Sequence, residues 1–380
     1  MNISAIKESN KKETRIAITP QSAKKLVGLG ATVTVPKNYG AALGFSNEEY
    51  EKAGAVLQKT QKAAIEEADV IVSVERASDS LYKGLKEGTI VISLLDPFRE
   101  LDLVETLAAA KVSSLAMELV PRTTYAQKMD ALSSQASLAG YTAVIKAADK
   151  IAKSLPMMST PSGTIPPAKV FIIGVGVAGL QAIATAKRLG ARVEAYDTRP
   201  VVEEQVKSLG AKFVKIDVGE TGQTEQGYAK ALTDEQLEMQ RKQMAKFVAG
   251  ADIVITTAQL FGRPAPLIVK EEMVKGMKSG GIIIDLAAST GGNVAGTEVD
   301  KEVMVDGVKI IGLSNFAGEV AKDASQMYAN NVANMLEHAW DKEENKLVLN
   351  LEDEIVNSVL LTHDGAIRDE RVKKAVEDNK

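Results

Sequence analysis

The sequence predicts an α/β protein built from two doubly wound parallel-sheet domains, one inserted in the other. Three observations predict it. Short apolar runs with strand character alternate with helical stretches along most of the chain, the pattern of a parallel sheet covered by helices. One of those runs, Lys169–Ile173, passes straight into Gly174-x-Gly176-x-x-Gly179 and then into a helical stretch. The chain has 380 residues, more than one ordinary domain uses. The expected division places residues 1–133 in a first domain, residues 134–315 in a nucleotide-binding domain, and residues 316–380 back on the first domain, because that last piece is too small to stand alone.

The elements follow in order. Thr14–Ile18 reads as a short strand or loop. Pro20 and Gln21 open a helix over Ser22–Leu29, which Gly30 closes. Thr32–Pro36 is a strand, and Asn47–Ala53 is helical. Asp69–Val74 and Thr89–Leu94 are apolar strands, Leu101–Lys111 is a helix, and Ser114–Val120 is a strand that runs up to Pro121. Ser134–Leu155 is a long helix. Pro156–Pro167 is rich in breakers and reads as an irregular connection. The strands of the second domain are Lys169–Ile173, Arg192–Asp197, Lys212–Ile216, Asp252–Thr257, Gly281–Asp285 and Val308–Ile311. A helix around Asn330–Trp340 follows, then a hairpin of Lys346–Leu351 with Ser358–Thr362, then a charged tail. The polar stretch Asp217–Lys230 is longer than most connections in such folds and reads equally as a lid or as a mobile surface loop.

Composition narrows the functional classes. Net charge is -4, which gives no electrostatic case for nucleic acid. The chain has no cysteine, so disulfide and thiolate chemistry are excluded. No apolar run reaches the ~20 residues of a membrane span, and the first residues lack the apolar core of a signal peptide. These features predict a cytoplasmic protein. The two histidines, His338 and His363, read as surface or packing groups, and no cluster has metal-ligand spacing.

The glycine pattern has a physical reading. A strand precedes it, a helix follows it, and the next strand closes on Asp197 at about the expected ~20-residue distance. Gly174 permits the tight turn, Gly176 lets backbone approach a pyrophosphate, and Gly179 lets the helix pack against the strand. The helix N-terminus at Val177 and Ala178 attracts phosphate. A carboxylate at Asp197 accepts hydrogen bonds from a ribose hydroxyl and repels a 2′-phosphate, so a Rossmann-type site selective for NAD(H) over NADP(H) is expected. Arg199 lies near enough to complicate that preference. In the first domain, the strand ending at Pro121 leads into Arg122-Thr-Thr-Tyr-Ala-Gln127-Lys-Met-Asp130. Ligands of open α/β sheets bind at such strand ends. Gln127 has the chemistry to bond a carboxamide, and an Arg122–Asp130 pair is expected to shape the loop.

Three stretches closely resemble one family: Met117–Tyr141, Gly163–Val170 and Gly174–Gly190. Shorter matches are Glu13–Pro20, Ile255–Ala258 with Gly262–Pro266, and Ile284–Ala287 with Gly291–Asn293. The family is the NAD(H)-binding component, domain I, of proton-translocating nicotinamide nucleotide transhydrogenase, a relative of alanine dehydrogenase. The resemblance implies that Arg122, Gln127 and Asp130 orient the nicotinamide, with Ser133 and Tyr141 in support. It places Asp197 and Arg199 near the adenosine ribose, Thr257, Ala258 and Asn315 against the nucleotide, and Tyr228 on a mobile loop that closes over it. Leu232 stands where that loop has a methionine, and Ser314-Asn315-Phe316-Ala317 departs from a Thr-Asn-Val-Pro pattern. The resemblance further implies a homodimer on the cytoplasmic face of the inner membrane, working with an NADP(H)-binding subunit and a membrane subunit.

The differences from alanine dehydrogenase bear on function. That relative handles a keto acid with a lysine and a histidine in its first domain. Here the matching strand ends read Ser73-Val-Glu75-Arg76 and Leu94-Leu95-Asp96-Pro97, while Arg15 is kept. Oxidising an amine or alcohol needs a general base, whereas moving a hydride between two nicotinamides does not. The expected function is therefore hydride transfer between NADH and NADP⁺ on a separate component, coupled to proton translocation. An alanine dehydrogenase-like oxidoreductase and a non-catalytic NAD-sensing module are the alternatives.

Overall fold

The computed structural model describes residues 1–219, 222 and 232–379. Tyr228, and all of the expected lid except Gly219 and Gly222, lie outside the described residues. The chain divides into two compact units, Met1–Gln135 with Val320–Lys380, and Ala136–Glu319.

The first unit holds an eight-stranded sheet. Strand Asn2–Ala5, which the sequence pattern does not announce, lies between Thr32–Pro36 and Val70–Glu75, parallel to both. From there the sheet runs through Ile90–Leu94 to Ser113–Ala116 on one side and to Val56–Gln58 on the other. The order reverses at Asn2–Ala5, so the carboxyl ends of Asn2–Ala5 and Val70–Glu75 form the crevice where an open sheet takes ligands. The first helix, Pro20–Gly28, starts where local chemistry dictates. Thr19 and Ser22 form a reciprocal cap and Pro20 sits at the first turn.

The C-terminal segment corrects the sequence reading. The expected hairpin of 346–351 with 358–362 does not form. Lys346–Leu347 pairs with Trp340–Asp341, and Glu354–Val359 is a helix. Asp353 caps that helix by accepting from the Val356 N–H at 2.9 Å. Ile355, Val356 and Val359 recur at helical spacing and are buried together. Leu360–His363 then adds antiparallel to Ser113–Ala116, with Ala366–Ile367 as the edge.

The second unit has a seven-stranded sheet. Its order is Lys212–Phe213, Arg192–Tyr196, Lys169–Ile173, Ile253–Thr256, Ile282–Asp285, Val308–Gly312 and Lys301–Val305. All pairs are parallel except the last, a hairpin that the alternation of 301–305 does not reveal. Strand Lys212–Phe213 is shorter than expected. Pro156–Pro167 is not irregular throughout, since Met158–Thr160 pairs with Gly163–Ile165 in an exposed hairpin. The sheet is buried on both faces, by one cluster containing Val170, Ile172, Ile255 and Ile284 and another containing Phe171, Val254 and Ile283. That explains why these strands read as continuous apolar runs. Among the described residues no helix is long and apolar enough to cross a membrane.

Candidate functional site

In the second unit the strand order reverses between Lys169–Ile173 and Ile253–Thr256, and the glycine turn lies at the carboxyl end of the first of these. Gly174 has φ +94°, a conformation that disfavours other residues. A Cβ on Gly179 would lie 2.0 Å from the Gly174 carbonyl oxygen, and one on Gly140 would lie 2.1 Å from the Ala178 carbonyl oxygen. Both contacts are with backbone, which cannot move aside. Gly176 differs, because a Cβ there would meet nothing within 4 Å. It caps the helix Val177–Arg188 without a side-chain bond, and it is exposed together with Val177. Open space in front of unsatisfied helix N–H groups fits a pyrophosphate.

Asp197 is placed differently from its sequence reading. Its carboxylate already accepts from the Val175 N–H at 2.7 Å and from the Arg199 backbone N–H at 2.8 Å. Arg199 adds Nε to one oxygen and Nη2 to the other, both at 2.8 Å. Arg199 Nη2 also donates to the Val175 carbonyl at 3.2 Å. The acid therefore forms a closed pair with Arg199 that braces the glycine turn. The hydrogen bond to Asp197 raises the Arg199 pKa.

Thr257 and Ala258 form the facing wall. Thr257 Oγ1 donates to the Gly174 carbonyl at 3.0 Å. Ala258 is held by Asn293, a buried residue to which sequence reasoning assigned no role. Asn293 Oδ1 accepts from the Ala258 N–H at 3.0 Å, and Nδ2 donates to the carbonyls of Ala258 and Pro266, each at 2.9 Å. Asp285, fully buried, holds Asn293 in turn by accepting from its backbone N–H at 2.8 Å. Asn293→Ala leaves three backbone groups without this partner. It should destabilise the protein by about 2–4 kcal/mol, since each buried polar group left unpaired costs about 1–3 kcal/mol. Urea unfolding followed by circular dichroism measures this, and an unchanged midpoint would refute it. Asn315 Oδ1 accepts from the Gly318 N–H at 2.8 Å and so opens the turn Ala317–Val320.

In the first unit the strand Ser113–Ala116 gives way to a 3-10 turn at Met117–Leu119, earlier than expected. A second turn, Gln127–Met129, carries Gln127. Ala126 and Met129 are buried on either side of it, while the Gln127 and Arg122 side chains are exposed. Asp130 does not simply pair with Arg122 as the sequence suggested. Its two oxygens accept from the Ser133 N–H at 2.8 Å and the Ser133 hydroxyl at 2.5 Å, capping the helix Ala131–Lys150. Arg122, Gln127, Asp130 and Ser133 thus belong to one loop and helix start of this unit. Tyr141, 39% exposed, lies on the part of that helix assigned to the other unit.

The crevice of the first unit is acidic and closed. Arg15 is buried, and Glu13 grips it through Nε at 2.8 Å and Nη2 at 2.6 Å. Its Nη1 donates to Gln135 Oε1 at 2.8 Å. Burial alone would lower the Arg15 pKa, but the Glu13 carboxylate overrides this and raises it. Glu8 accepts from the Val74 and Glu75 N–H groups at 2.8 and 3.1 Å, and burial pushes its pKa up to about 8. Ser73 donates to the Glu75 carbonyl at 2.7 Å. Glu118 accepts from the Leu95 and Asp96 N–H groups at 2.8 and 2.5 Å.

Known proteins share this architecture. Residues 4–139 match the family model described as Alanine dehydrogenase/PNT, N-terminal domain, and residues 143–370 match Alanine dehydrogenase/PNT, C-terminal domain. The first part of the NAD(P) transhydrogenase alpha subunit of Rickettsia prowazekii, a separate chain in that organism, is 45% identical over 371 residues, covering 97% of this chain and 96% of the relative. The crystal structure of transhydrogenase from Sinorhizobium meliloti superposes with a TM-score of 0.84 at 42% identity, covering 97% of this chain and 98% of that one. Alanine dehydrogenase 1 of Staphylococcus aureus is a more distant relative, 28% identical over 352 residues, covering 90% of this chain and 88% of the relative.

Proposed function

Because the chain belongs to the alanine dehydrogenase/PNT family, we propose that it is the NAD(H)-binding component of a proton-translocating transhydrogenase. It exchanges a hydride with NADP(H) held on a separate subunit, and a membrane subunit couples the exchange to proton movement. The dinucleotide supplies the hydride. The protein's own residues bind and orient it, and the reading assigns those tasks to the two units in turn. Gly174, Gly176, Val177, Ala178 and Gly179 cradle the pyrophosphate. Asp197, braced by Arg199, faces the adenosine ribose, and Thr257, Ala258 and Asn315 line the remaining wall. Arg122, Gln127 and Asp130 orient the nicotinamide, with Ser133 and Tyr141 in support.

One observation carries this reading. Arg15 in the first-unit crevice is already committed to Glu13, and the strand ends there offer Ser73, Glu75, Leu95 and Asp96 but no lysine or histidine. A keto-acid reaction needs a proton donor and a free cation, whereas hydride exchange between two nicotinamide rings needs only near-attack positioning and exclusion of water. The reading includes a homodimer attached to the cytoplasmic face of the inner membrane through its partner subunits. The exposed hairpin supports self-association, since Met157, Met158 and Ile165 present 64%, 47% and 49% of their surface.

The test mixes the chain with the NADP(H)-binding component of a transhydrogenase and follows hydride transfer with an NAD analogue of distinct absorbance. Transfer is expected, and its absence would overturn the reading. Gln127→Ala should slow it by ~10-fold or more, a barrier increase of about 1.4 kcal/mol, with a smaller change in NADH affinity. An unchanged stopped-flow rate in this variant would remove Gln127 from the mechanism.

A further inference from the structure

The turn that carries Gln127 is held from outside by two side chains of one helix, Ala321–His338. The carbonyl of Lys128, the residue after Gln127, accepts from Asn331 Nδ2 at 3.0 Å and from Asn334 Nδ2 at 2.9 Å. Both amides are locked in the orientation this requires. Asn331 Oδ1 accepts from the Ser134 hydroxyl at 2.7 Å. Asn334 Oδ1 accepts from Lys25 Nζ at 2.6 Å, and Lys25 is itself held by Glu337 at 2.8 Å. An ammonium group only donates, so the Asn334 oxygen must face Lys25 and its NH₂ must face Lys128.

The exposed Gln127 side chain therefore sits on a backbone fixed at three points. Ala126 and Met129 anchor it in the core, the two asparagines hold the Lys128 carbonyl, and Asp130 is tied to the start of the next helix. The asparagines lie three residues apart, so both face the same side of their helix. They lie some 200 residues beyond the loop they hold.

We propose that Asn331 and Asn334 are positioning residues that set the orientation of Gln127 for hydride transfer through their shared grip on the Lys128 carbonyl. The proposal rests on the transhydrogenase reading above. Small displacements matter in such a site, because transfer between two rings depends on near-attack geometry while ground-state binding does not. The grip should therefore act on the transfer rate and leave NADH affinity nearly untouched.

Asn334→Asp isolates this effect. It preserves size and the contact with Lys25 but replaces the donor with an acceptor that repels the Lys128 carbonyl. Asn334 is only partly buried, so the fold should tolerate the change. In the reconstituted system with the NADP(H)-binding component, single-turnover transfer should slow ~5–10-fold while the NADH dissociation constant stays within about twofold. The same change made in a Gln127→Ala background should have little further effect, because residues acting through one another are not additive. A general structural disturbance would slow both backgrounds alike and would overturn the proposal, as would an unchanged rate in the single variant. If Asn334→Asp does not fold by circular dichroism, Asn334→Ser carries the same pair of measurements. Absence of transfer with the unmodified chain would count against the functional reading itself, whereas failure of this proposal requires wild-type transfer to be intact.

Discussion

Incubated with pyruvate, ammonia and NADH, the protein should form alanine at a rate ~10²–10⁴-fold below that of a dehydrogenase carrying an acid–base pair, the usual contribution of general acid catalysis. The reason lies in the first unit's crevice. Ser73 stands at one strand end, with its hydroxyl donated to the Glu75 carbonyl. Leu95 is buried at another strand end, followed by Asp96 at φ +49°. Neither position offers a group that donates a proton to a developing amine or alcohol. Arg15, the cation left to attract a carboxylate, is already held in a fork by Glu13 and braced by Gln135. Opening that pair would leave a buried carboxylate alone, a cost of about 3–5 kcal/mol. A keto acid would also approach Glu13 and Glu75, which disfavour another anion. Absorbance at the NADH band, with product identified by chromatography, checks this. Turnover at an ordinary dehydrogenase rate would overturn the functional reading in favour of an alanine dehydrogenase-like enzyme.

Asp197→Ala should invert the dinucleotide preference. The unmodified protein should bind NADH more tightly than NADPH, because Arg199 spends its fork on Asp197 and presents no free cation to a 2′-phosphate. Removing the carboxylate has two effects. The ribose loses an acceptor, and the Val175 N–H loses its partner at 2.7 Å, so NADH binding weakens. Arg199 is also released, and a guanidinium suits a phosphate at least as well as a carboxylate. A charge-assisted hydrogen bond is worth about 1.5–3 kcal/mol, so NADPH affinity should rise ~10–100-fold. Titration calorimetry of both nucleotides decides it. Equal affinities in the unmodified protein would refute the role of Asp197. A gain in NADPH binding that survives a further Arg199→Ala change would refute the role of Arg199.

The part of the candidate site that is legible in the sequence is the part made by neighbours in the chain. Gly174, Gly176 and Gly179 are readable because one turn needs all three and the backbone clashes that forbid a Cβ lie within five residues. The Gln127 loop is recognisable because its residues are contiguous from Arg122 to Asp130. What the sequence does not show is how polar groups pair once folded. Asp197 reads as a free acceptor, yet it is paired with Arg199 two residues away, because the turn brings the guanidinium back onto it. Asn293 and Asp285 carry no local signal, since their partners, Ala258, Pro266 and Thr297, belong to other segments.

The same division applies to the fold. Apolar runs such as Val70–Val74 and Ile282–Ile284 are buried on both faces, so hydrophobicity alone identifies them as strands of a parallel sheet. Where an apolar stretch suits two periods, only its neighbours decide. Residues 354–363 look like one strand, but a cap at Asp353 turns 354–359 into a helix, and pairing with Ser113–Ala116 keeps 360–363 extended. By itself the sequence determined that this protein has two doubly wound units and a dinucleotide turn, because those features depend on periodicity and on backbone clashes within a few residues. Only the tertiary structure decided which charges are free to meet a ligand, because buried carboxylates, amides and guanidinium groups must find partners, and the partners come from distant parts of the chain.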